Sequence, residues 1–396
     1  MRSPVHSPIP QPVLQALRTL EEAGHEAFLV GGCVRDLLRG DSPKDYDIAT
    51  RALPTQVQAC FAKVVPTGIQ HGTVTVLLGG MSLEVTTYRS EGTYADGRRP
   101  STVHFHACIE EDLSRRDFTM NAMAYNPLHQ RWVDTWGGKE DLARGLVRCV
   151  GSPLERFSED GLRAIRAVRF ATTLNFELDL ATQQAIPQCL AVFSKVAIER
   201  IREEFLKLLA CAHAQRGLAL LLQTGLLESF LPEAACADFG KAARAKGLLP
   251  RLALLLSACE TRAVLQRLKL SSKQMETVLH LLRVQPLPPP GADDTALRCW
   301  LSKAKRAHWE EALSVGEALE EREEGLGERL RALLVQNPAL SIDKLALNGK
   351  EMGLILGIPP GPKIGEAGRF LLGKVLENPR LNSKEALSQL LQTWNK

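Results

Sequence analysis

The sequence has few aromatic residues, no long apolar run and no closely spaced cysteines, and each absence excludes a class of protein. Aromatic residues make up only 5% of the 396 residues, and frequent Leu and Ala favour helix over strand. No apolar run approaches the ~20 residues that cross a bilayer, and the N-terminal residues 1–12 carry Pro instead of an apolar signal core. We therefore expect a mainly helical, cytoplasmic protein with no membrane partner.

The cysteines and the missing motifs narrow the class of function further. The nine cysteines are spread along the chain, so neither a disulfide framework nor paired zinc ligands are indicated. The common motifs of P-loop, dinucleotide-binding, zinc-protease and serine-hydrolase proteins are absent. With 45% hydrophobic and 24% charged residues the chain is typical of globular proteins.

Positive charge is unevenly distributed. The net charge of +4 is too small to indicate a nucleic-acid partner by itself. Residues 329–396, however, hold ten basic and five acidic residues. Such a basic C-terminal lobe can contact a phosphate backbone, although a solvated helical surface explains the same charges.

The first 150 residues alternate strand-like and helical segments, and the rest of the chain has helical periodicity. Strands are predicted at residues 26–30, 46–49, 73–78 and 83–88, with Gly79-Gly80 as a hairpin turn. The sequence thus predicts an α+β protein with a small mixed or antiparallel sheet followed by an all-α part. We expect a head at 1–150, a neck at 151–215, a body at 216–328 and a tail at 329–396.

The densest group of reactive residues follows the first predicted strand. Gly31-Gly32 opens a helix, whose N-terminal N–H groups can bind phosphate. Asp45 and Asp47 are two residues apart, so on one strand they share a face and can bind one or two divalent cations. Two magnesium ions held in this way can activate a hydroxyl and neutralise a pyrophosphate leaving group. Asp-x-Asp alone would more often be a loop or an edge strand.

Several segments together resemble the class II tRNA nucleotidyltransferases, which are the CCA-adding enzymes, and the related bacterial poly(A) polymerases. The resemblance is specific over about residues 27–210 and weaker to the end. It rests on the segments FLVGGCVRDLLRGDSPKDYDIAT, HGTVTV, EVTTYRSEGTYADGRRP, EEDLSRRDFTMNAMAY, RFSEDGLRAIRAVRFATTLNF and LALNGKEM. Membership would imply a polymerase-β-like nucleotidyltransferase head followed by helical neck, body and tail.

The resemblance also implies roles for residues of the head. Asp45 and Asp47 match the metal-binding carboxylates of the family, which implies Mg²⁺ as the cofactor. Gly32 and Arg35 match its triphosphate contacts, and Arg116 matches a nucleotide-contacting arginine. Arginine suits these positions because it pairs bidentately with phosphate oxygens. Two further roles are weaker expectations, namely ribose recognition by Asp117 and a third carboxylate from Glu84.

Four charged residues of the neck recur every three residues, namely Asp160, Arg163, Arg166 and Arg169. On one helix they would form an exposed stripe beside an apolar one. An Asp next to an Arg offers the acceptor and the donors that the Watson–Crick edge of a base requires. The family uses its EDxxR motif as such a protein template, and ladders of Asp–Arg and Glu–Arg ion pairs are the alternative. Gly161 is unexpected inside a helix.

The resemblance leaves several activities open. CCA addition with tRNA, CTP and ATP as partners is the leading expectation, with no obligate protein partner evident. The loop at residues 88–105 has not been shortened, which argues against CC-only addition. We expect this loop to reorient the charged helix between C addition and A addition. HGTVTV and YADGRRP argue against poly(A) synthesis. Addition of A alone stays open. A catalytically inactive RNA-binding protein is disfavoured because the carboxylates of Asp45 and Asp47 are both present.

Overall fold

A computed structural model describes residues 8–91, 103–105, 108–319 and 325–394. The chain divides into two compact units, Met1–Ala235 and Cys236–Lys396. Within the described residues, no helix is long and apolar enough to cross a membrane. The finer division into head, neck, body and tail at residues 150, 215 and 328 stays a prediction.

The strands all lie in the first unit as far as the chain is described. Their bounds are β1 Ala27–Val30, β2 Asp47–Thr50, β3 Val64–Gly68, β4 Thr73–Leu78, β5 Met81–Thr87, β6 Arg89–Glu91, β7 Val103–Phe105, β8 Ala124–Asn126, β9 Arg131–Val133, β10 Leu146–Val147 and β11 Glu177–Leu178. Seven of them form one sheet in the order β3-β4-β5-β2-β1-β8-β9. Only the β2–β5 pair of this sheet is parallel, so the sheet is mixed, as the sequence predicted.

The predicted strands are present with shifted ends, and the sheet is larger than expected. Strand β4 has the predicted bounds, whereas β2 begins one residue later than predicted. Gly79 and Gly80 have φ angles of +56° and +80°, as a tight hairpin between β4 and β5 requires. Strands β3, β8 and β9 were not predicted, because they are short or largely exposed segments without clear alternation.

Helices cover the sheet and continue beyond it in the first unit. Their bounds are α1 Gln11–Glu22, α2 Gly32–Arg39, α3 Pro54–Cys60, α4 Ile109–Ser114, α5 Gly138–Arg144, α6 Pro153–Glu159, α7 Leu162–Leu174, α8 Leu180–Ala185, α9 Leu190–Phe193, α10 Ile198–Ala210, α11 Ala214–Gln223 and α12 Leu226–Phe230. One apolar core packs α1 and α2 against the sheet, with Leu17, Leu29 and Ile48 fully buried. The head therefore holds the N-terminus of α2 close to the start of β2.

The predicted charged helix is broken at Asp160, so the expectation that Asp160 and the three arginines share one helix is wrong. Helix α6 ends at Glu159, Asp160 has an extended backbone, and α7 begins at Leu162. A Cβ atom on Gly161 would lie only 2.8 Å from the backbone of Phe193. Glycine is therefore required at this position because the chain of the α9 segment passes directly over the break.

The part of the chain after residue 153 is not entirely helical, in contrast to the sequence prediction. Strand β11 pairs in parallel with β10 over two residues. Helix α7 ends at Leu174 and is followed by Asn175, whose left-handed φ of +55° turns the chain back towards β10. The ladder is then completed by hydrogen bonds from the Glu177 and Asp179 N–H groups to the carbonyls of Gly145 and Val147.

The second unit is helical throughout its described residues. Its helices are α13 Phe239–Arg244, α14 Leu248–Leu255, α15 Thr261–Arg267, α16 Ser272–Arg283, α17 Asp294–Ala304, α18 Trp309–Leu319, α19 Leu326–Val335, α20 Gly349–Leu356, α21 Pro362–Glu377 and α22 Lys384–Trp394. The last three share a core that includes Met352, Leu371 and Leu387. The basic C-terminal segment is therefore a packed helical structure.

Candidate active site

Three carboxylates of the head lie around the start of β2. Asp47 is the first residue of this strand, and the parallel register pairs it with Glu84 of β5. Asp45 lies in the bend before the strand and is exposed, so the prediction that both aspartates belong to one strand is wrong. The strand begins late because β1, the partner of β2, ends at Val30, which pairs with Asp47.

The electrostatics of Asp47 show that these carboxylates interact. Burial raises the pKa of Asp47 above its usual value, and the negative charges of Glu84 and Asp45 raise it further against the opposing charge of Arg116. Among the described residues, no group of three or more His, Cys, Asp and Glu side chains is arranged to hold a metal ion. Glu84 is thus an electrostatic neighbour of Asp47, and its role as a third metal-binding carboxylate stays a prediction.

The glycine pair forms a narrow cradle beside Asp47. Gly31 has φ +74° and ψ −137°, a conformation that is essentially restricted to glycine. A Cβ atom there would lie 3.0 Å from Nη1 of Arg116 and 3.5 Å from Oδ2 of Asp47. The sequence therefore brings a helix N-terminus, an arginine and a carboxylate together over one glycine, which is the composition that a metal-bound phosphate group requires.

Arg116 is paired with Asp112 and has one buried donor, Nε, without a partner in the described part of the chain. The buried carboxylate of Asp112, on α4, accepts from Nη2 of Arg116 at 3.1 Å and from Nη2 of Arg115 at 2.6 Å. The two arginines outweigh the effect of burial and lower the pKa of Asp112. The Nε of Arg116 is buried and has no hydrogen-bond partner among the described residues. A buried unpaired donor is unfavourable, so this atom is suited to an incoming acceptor.

Arg35 is positioned by the segment that contains Arg116. Its Nε and Nη2 contact Asp36 at 2.8 and 2.7 Å, and its Nη1 donates to Oδ1 of Asn121 at 2.9 Å. The amide of Asn121 in turn donates to Asp117 at 3.2 Å. Arg35 is consequently fixed by a chain of hydrogen bonds that ends at the largely buried carboxylate of Asp117.

Asp117 is fully engaged by protein groups. It accepts from the backbone N–H of Phe118, from Asn121, and from Nε and Nη2 of Arg166 at 2.9 and 2.5 Å. Burial opposes its ionisation, but the charge and hydrogen bonds of Arg166 and the bond from Asn121 lower its pKa to about 2. Its oxygens are thus occupied before any ribose arrives, and the expected ribose contact stays a prediction.

The arginines of α7 do not form the freely exposed stripe that the sequence predicted. Arg163 is buried and donates to the carbonyls of Arg156 and Arg115 in addition to its ion pair with Glu159. Arg169 pairs with Glu204 of α10, and its side chain is 12% exposed. Arg166 pairs with Asp117 and is 32% exposed. Because the helix is broken before α7, the face of α7 that carries these three arginines is turned towards the head and α10.

Asp160 has a different partner from the one expected. Its Oδ2 lies 2.8 Å from Nη2 of Arg200, on α10, and its Oδ1 accepts the N–H of Leu162. Asp160 therefore stabilises the N-terminus of α7 while it is paired across to another helix. Glu159 forms the ion pairs with Arg156 and Arg163, so part of the alternative ion-pair ladder is present.

Sequence reasoning missed four residues that support the site, namely Asp112, Asn121, Arg200 and Glu204. Asp112 and Asn121 flank the RRD segment, and their helical spacing to Arg116 and Asp117 was a usable signal. Arg200 and Glu204 come from α10, a helix distant in sequence, and no local pattern pointed to them. The loop at residues 88–105, which we expect to reorient the helix, consists largely of residues 92–102, and these lie outside the described residues.

Three family profiles match successive parts of the chain. The Poly A polymerase head domain matches residues 27–148. The RNA and SrmB-binding site of polymerase A matches residues 175–237. The profile of tRNA nucleotidyltransferase domain 2 matches residues 251–391.

Relatives and solved structures agree with these profiles. A CCA-adding enzyme of Geobacillus sp. (strain WCH70) is 36% identical over 397 residues, which cover 96% of both chains. The enzyme of Lactobacillus helveticus is 49% identical over 54% of each chain. The crystal structure of the Bacillus stearothermophilus CCA-adding enzyme with CTP has a TM-score of 0.83 at 35% identity, covering 97% of both chains. A Thermotoga maritima CCA-adding enzyme complexed with tRNA shares the fold, with a TM-score of 0.68 at 20% identity over 97% of this chain and 96% of that chain.

The low pKa of Asp117 predicts how the stability of Asp117→Asn depends on pH. Because its folded-state pKa is depressed to about 2, the ion pair stabilises the fold fully above about pH 4 and loses this effect as the pH falls towards 2. We expect the variant to be less stable by roughly 2 kcal/mol at pH 7, since Arg166 loses its main carboxylate partner in a partly buried pair. Urea unfolding between pH 7 and pH 3 measures the difference in the free energy of unfolding between the parent and the variant. This difference should become smaller below pH 4.

The matched control is Asp41→Asn, because Asp41 is exposed and forms only a surface pair with Arg39 at 3.5 Å. We expect its effect to stay within about 0.5 kcal/mol at every pH. A stability difference for Asp117→Asn that is the same at pH 7 and pH 3 would contradict the assigned pKa.

Proposed function

This chain belongs to the family of CCA-adding enzymes, and we propose that it completes the 3′ end of tRNA by adding C, C and A from CTP and ATP without a nucleic-acid template. The relatives of nearly equal length carry this conclusion, and they favour CCA addition over A-only addition and poly(A) synthesis. The reaction transfers a nucleotide to the tRNA 3′ hydroxyl and releases pyrophosphate. The cytoplasmic location stays a prediction.

As a metal-dependent nucleotidyltransferase, the chain needs residues that hold a cation, and we assign Asp45 and Asp47. Two carboxylates suit Mg²⁺, which usually takes its remaining ligands from water and substrate phosphates. The chemistry of the donors therefore fits, although no third protein ligand is present among the described residues. Bound there, Mg²⁺ would activate the attacking hydroxyl and neutralise charge on the leaving pyrophosphate.

The triphosphate is the proposed ligand of the cradle at Gly31. Gly32 begins α2, so its N–H and those of the next two residues have no partner within the helix and can donate to a phosphate. Arg116 supplies its unpaired Nε, and Arg35 adds charge from the side of α2. A triphosphate brings about four negative charges, and preorganised donors of this type stabilise charge without reorganisation.

Base selection is proposed for Asp160 and Arg163, supported by Arg166 and Arg169. Asp accepts from the exocyclic amino group of C or A, and Arg donates to a ring nitrogen or carbonyl. Both side chains are engaged by Arg200 and Glu159, so reading a base requires an exchange of partners. Movement of the loop at residues 88–105 would reorient the helix between C addition and A addition. Most of this loop lies outside the described residues.

The tRNA body is the proposed partner of the second unit. A cavity of about 710 Å³ is lined by Lys305, Arg306 and Lys344, with an apolar floor that includes Leu340. No Asp or Glu is among the described residues that line it. Arg306 is preoriented by Asn337, which accepts its Nη1 at 2.7 Å. Together with the basic balance of residues 329–396, this cavity supports contacts to RNA phosphates independent of sequence.

Removal of either metal-binding carboxylate should stop the chemistry and spare tRNA binding. We expect Asp45→Ala and Asp47→Ala to reduce incorporation by more than about a hundredfold, because the cation loses a ligand. Incorporation is measured with tRNA ending before CCA, after C and after CC, each with CTP or ATP alone. Asp41→Ala is the control, since Asp41 is exposed in the same loop. Activity of either variant within tenfold of the parent would refute the assignment.

The template role predicts a loss of selectivity in Asp160→Ala. We expect UTP and GTP to be accepted more readily relative to CTP and ATP, because the acceptor that reads the amino group is gone. Asp160→Asn should still accept the N–H of Leu162 through its amide oxygen, so it separates base reading from helix stabilisation. If Asp160→Ala loses rate equally for all four nucleotides, the ion-pair role is the correct one.

The cavity of the second unit predicts a salt-dependent effect on tRNA affinity. Changing Lys305, Arg306 and Lys344 together to Gln should weaken tRNA binding and reduce the slope of log affinity against log salt, because fewer counterions are released. The matched control changes Arg262, Lys273 and Arg283 to Gln, because these residues are exposed in the same unit, do not line the cavity and lie outside residues 329–396. An unchanged salt slope in the cavity variant would contradict the assignment.

A further inference from the structure

Three arginines of the candidate site surround a single aromatic ring. The guanidinium carbons of Arg35, Arg166 and Arg169 lie 5.3, 5.3 and 3.7 Å from the centre of the Phe170 ring. Phe170 follows Arg169 on α7 and is 7% exposed. It also meets Phe118 edge to face at 5.7 Å between ring centres. Residues from α2 and α7 thus converge on one side chain that the sequence analysis did not single out.

Each of these arginines has at least one carboxylate partner, and the ring is their common neutral partner. Arg35 pairs with Asp36, Arg166 with Asp117, and Arg169 with Glu204. A carboxylate orients a guanidinium by occupying its N–H donors. An aromatic face attracts the cation through the quadrupole of the ring and leaves the N–H donors at the guanidinium edge available. The ring can therefore orient arginines without consuming the donors that phosphates and bases require.

We propose that Phe170 is a positioning residue for the incoming nucleotide, holding Arg35, Arg166 and Arg169 in the orientation in which they bind it. The proposal rests on the nucleotide-binding role assigned to these arginines under the proposed function. Phe170 itself contacts the guanidiniums and acts through them. It is fixed in turn by its edge contact with Phe118, the residue directly after Asp117.

The substitutions that test this role separate the aromatic face from the buried volume. Phe170→Leu and Phe170→Met keep an apolar side chain and remove the ring, whereas Phe170→Tyr keeps the ring. The control is Phe157→Leu, because Phe157 is fully buried in α6 of the same unit. No guanidinium lies over its ring in the part of the chain that the structure describes. Thermal unfolding of all four variants measures the general loss of packing.

CTP binding to the protein without tRNA is the decisive measurement, since it does not depend on catalysis. We expect Phe170→Leu and Phe170→Met to weaken CTP binding about fivefold or more and to raise KM for CTP and ATP, with kcat changed less than about threefold. Phe170→Tyr should bind CTP within about twofold of the parent. Phe157→Leu should be destabilised to a similar degree as Phe170→Leu and bind CTP normally.

Two outcomes would overturn the proposal. One is unchanged CTP affinity in both ring-deleted variants. The other is an equal loss of affinity in Phe170→Tyr and Phe170→Leu, which would assign Phe170 to packing alone. If Phe170→Leu fails to fold, Phe170→Met and Phe170→Tyr still give the comparison. A parent protein that binds CTP but extends no tRNA would contradict the proposed function and leave the role of Phe170 testable.

Discussion

The partly buried ion pair between Asp117 and Arg166 is the interaction on which the candidate site depends. It joins the segment after α4 to helix α7, and Asn121 extends it to Arg35 at the start of α2. Two charges inside a protein are stable only when their hydrogen bonds are satisfied, and both oxygens of Asp117 are satisfied here. One contact therefore sets the position of the proposed phosphate-binding arginine relative to the helix proposed to read the base.

Other arginines of the site are paired in the same way, so that acidic side chains neutralise them before any substrate binds. Arg116 is paired with Asp112, Arg169 with Glu204, and Arg200 with Asp160. A nucleotide then competes with existing ion pairs and does not enter a field of unpaired charge. Such partner exchange costs less than the creation of new charge pairs, because each residue keeps one counterion in either state. The arrangement suits a site that must accept two different bases in turn.

Much of the head could be predicted from sequence because its signals are local. The glycine pair, the hairpin turn and the carboxylates around the start of β2 each follow from neighbouring residues. The neck was harder, because periodicity treats residues 160–169 as one helix, whereas the close approach of the Phe193 backbone at Gly161 ends it. The unusual glycine was the sequence signal of that break. Partners such as Arg200, 40 residues from Asp160, lie beyond any local pattern.

The parallel pairing of β2 with β5 makes the site sensitive to the length of the chain between them. Glu84 faces Asp47 because the turn at Gly79-Gly80 fixes the register of β5 along its hairpin partner β4. Side chains alternate between the faces of a strand, so one added residue between this turn and Glu84 would place the carboxylate on the opposite face. A single-codon insertion in this hairpin would therefore change the electrostatics at Asp47 while every residue of the site kept its identity.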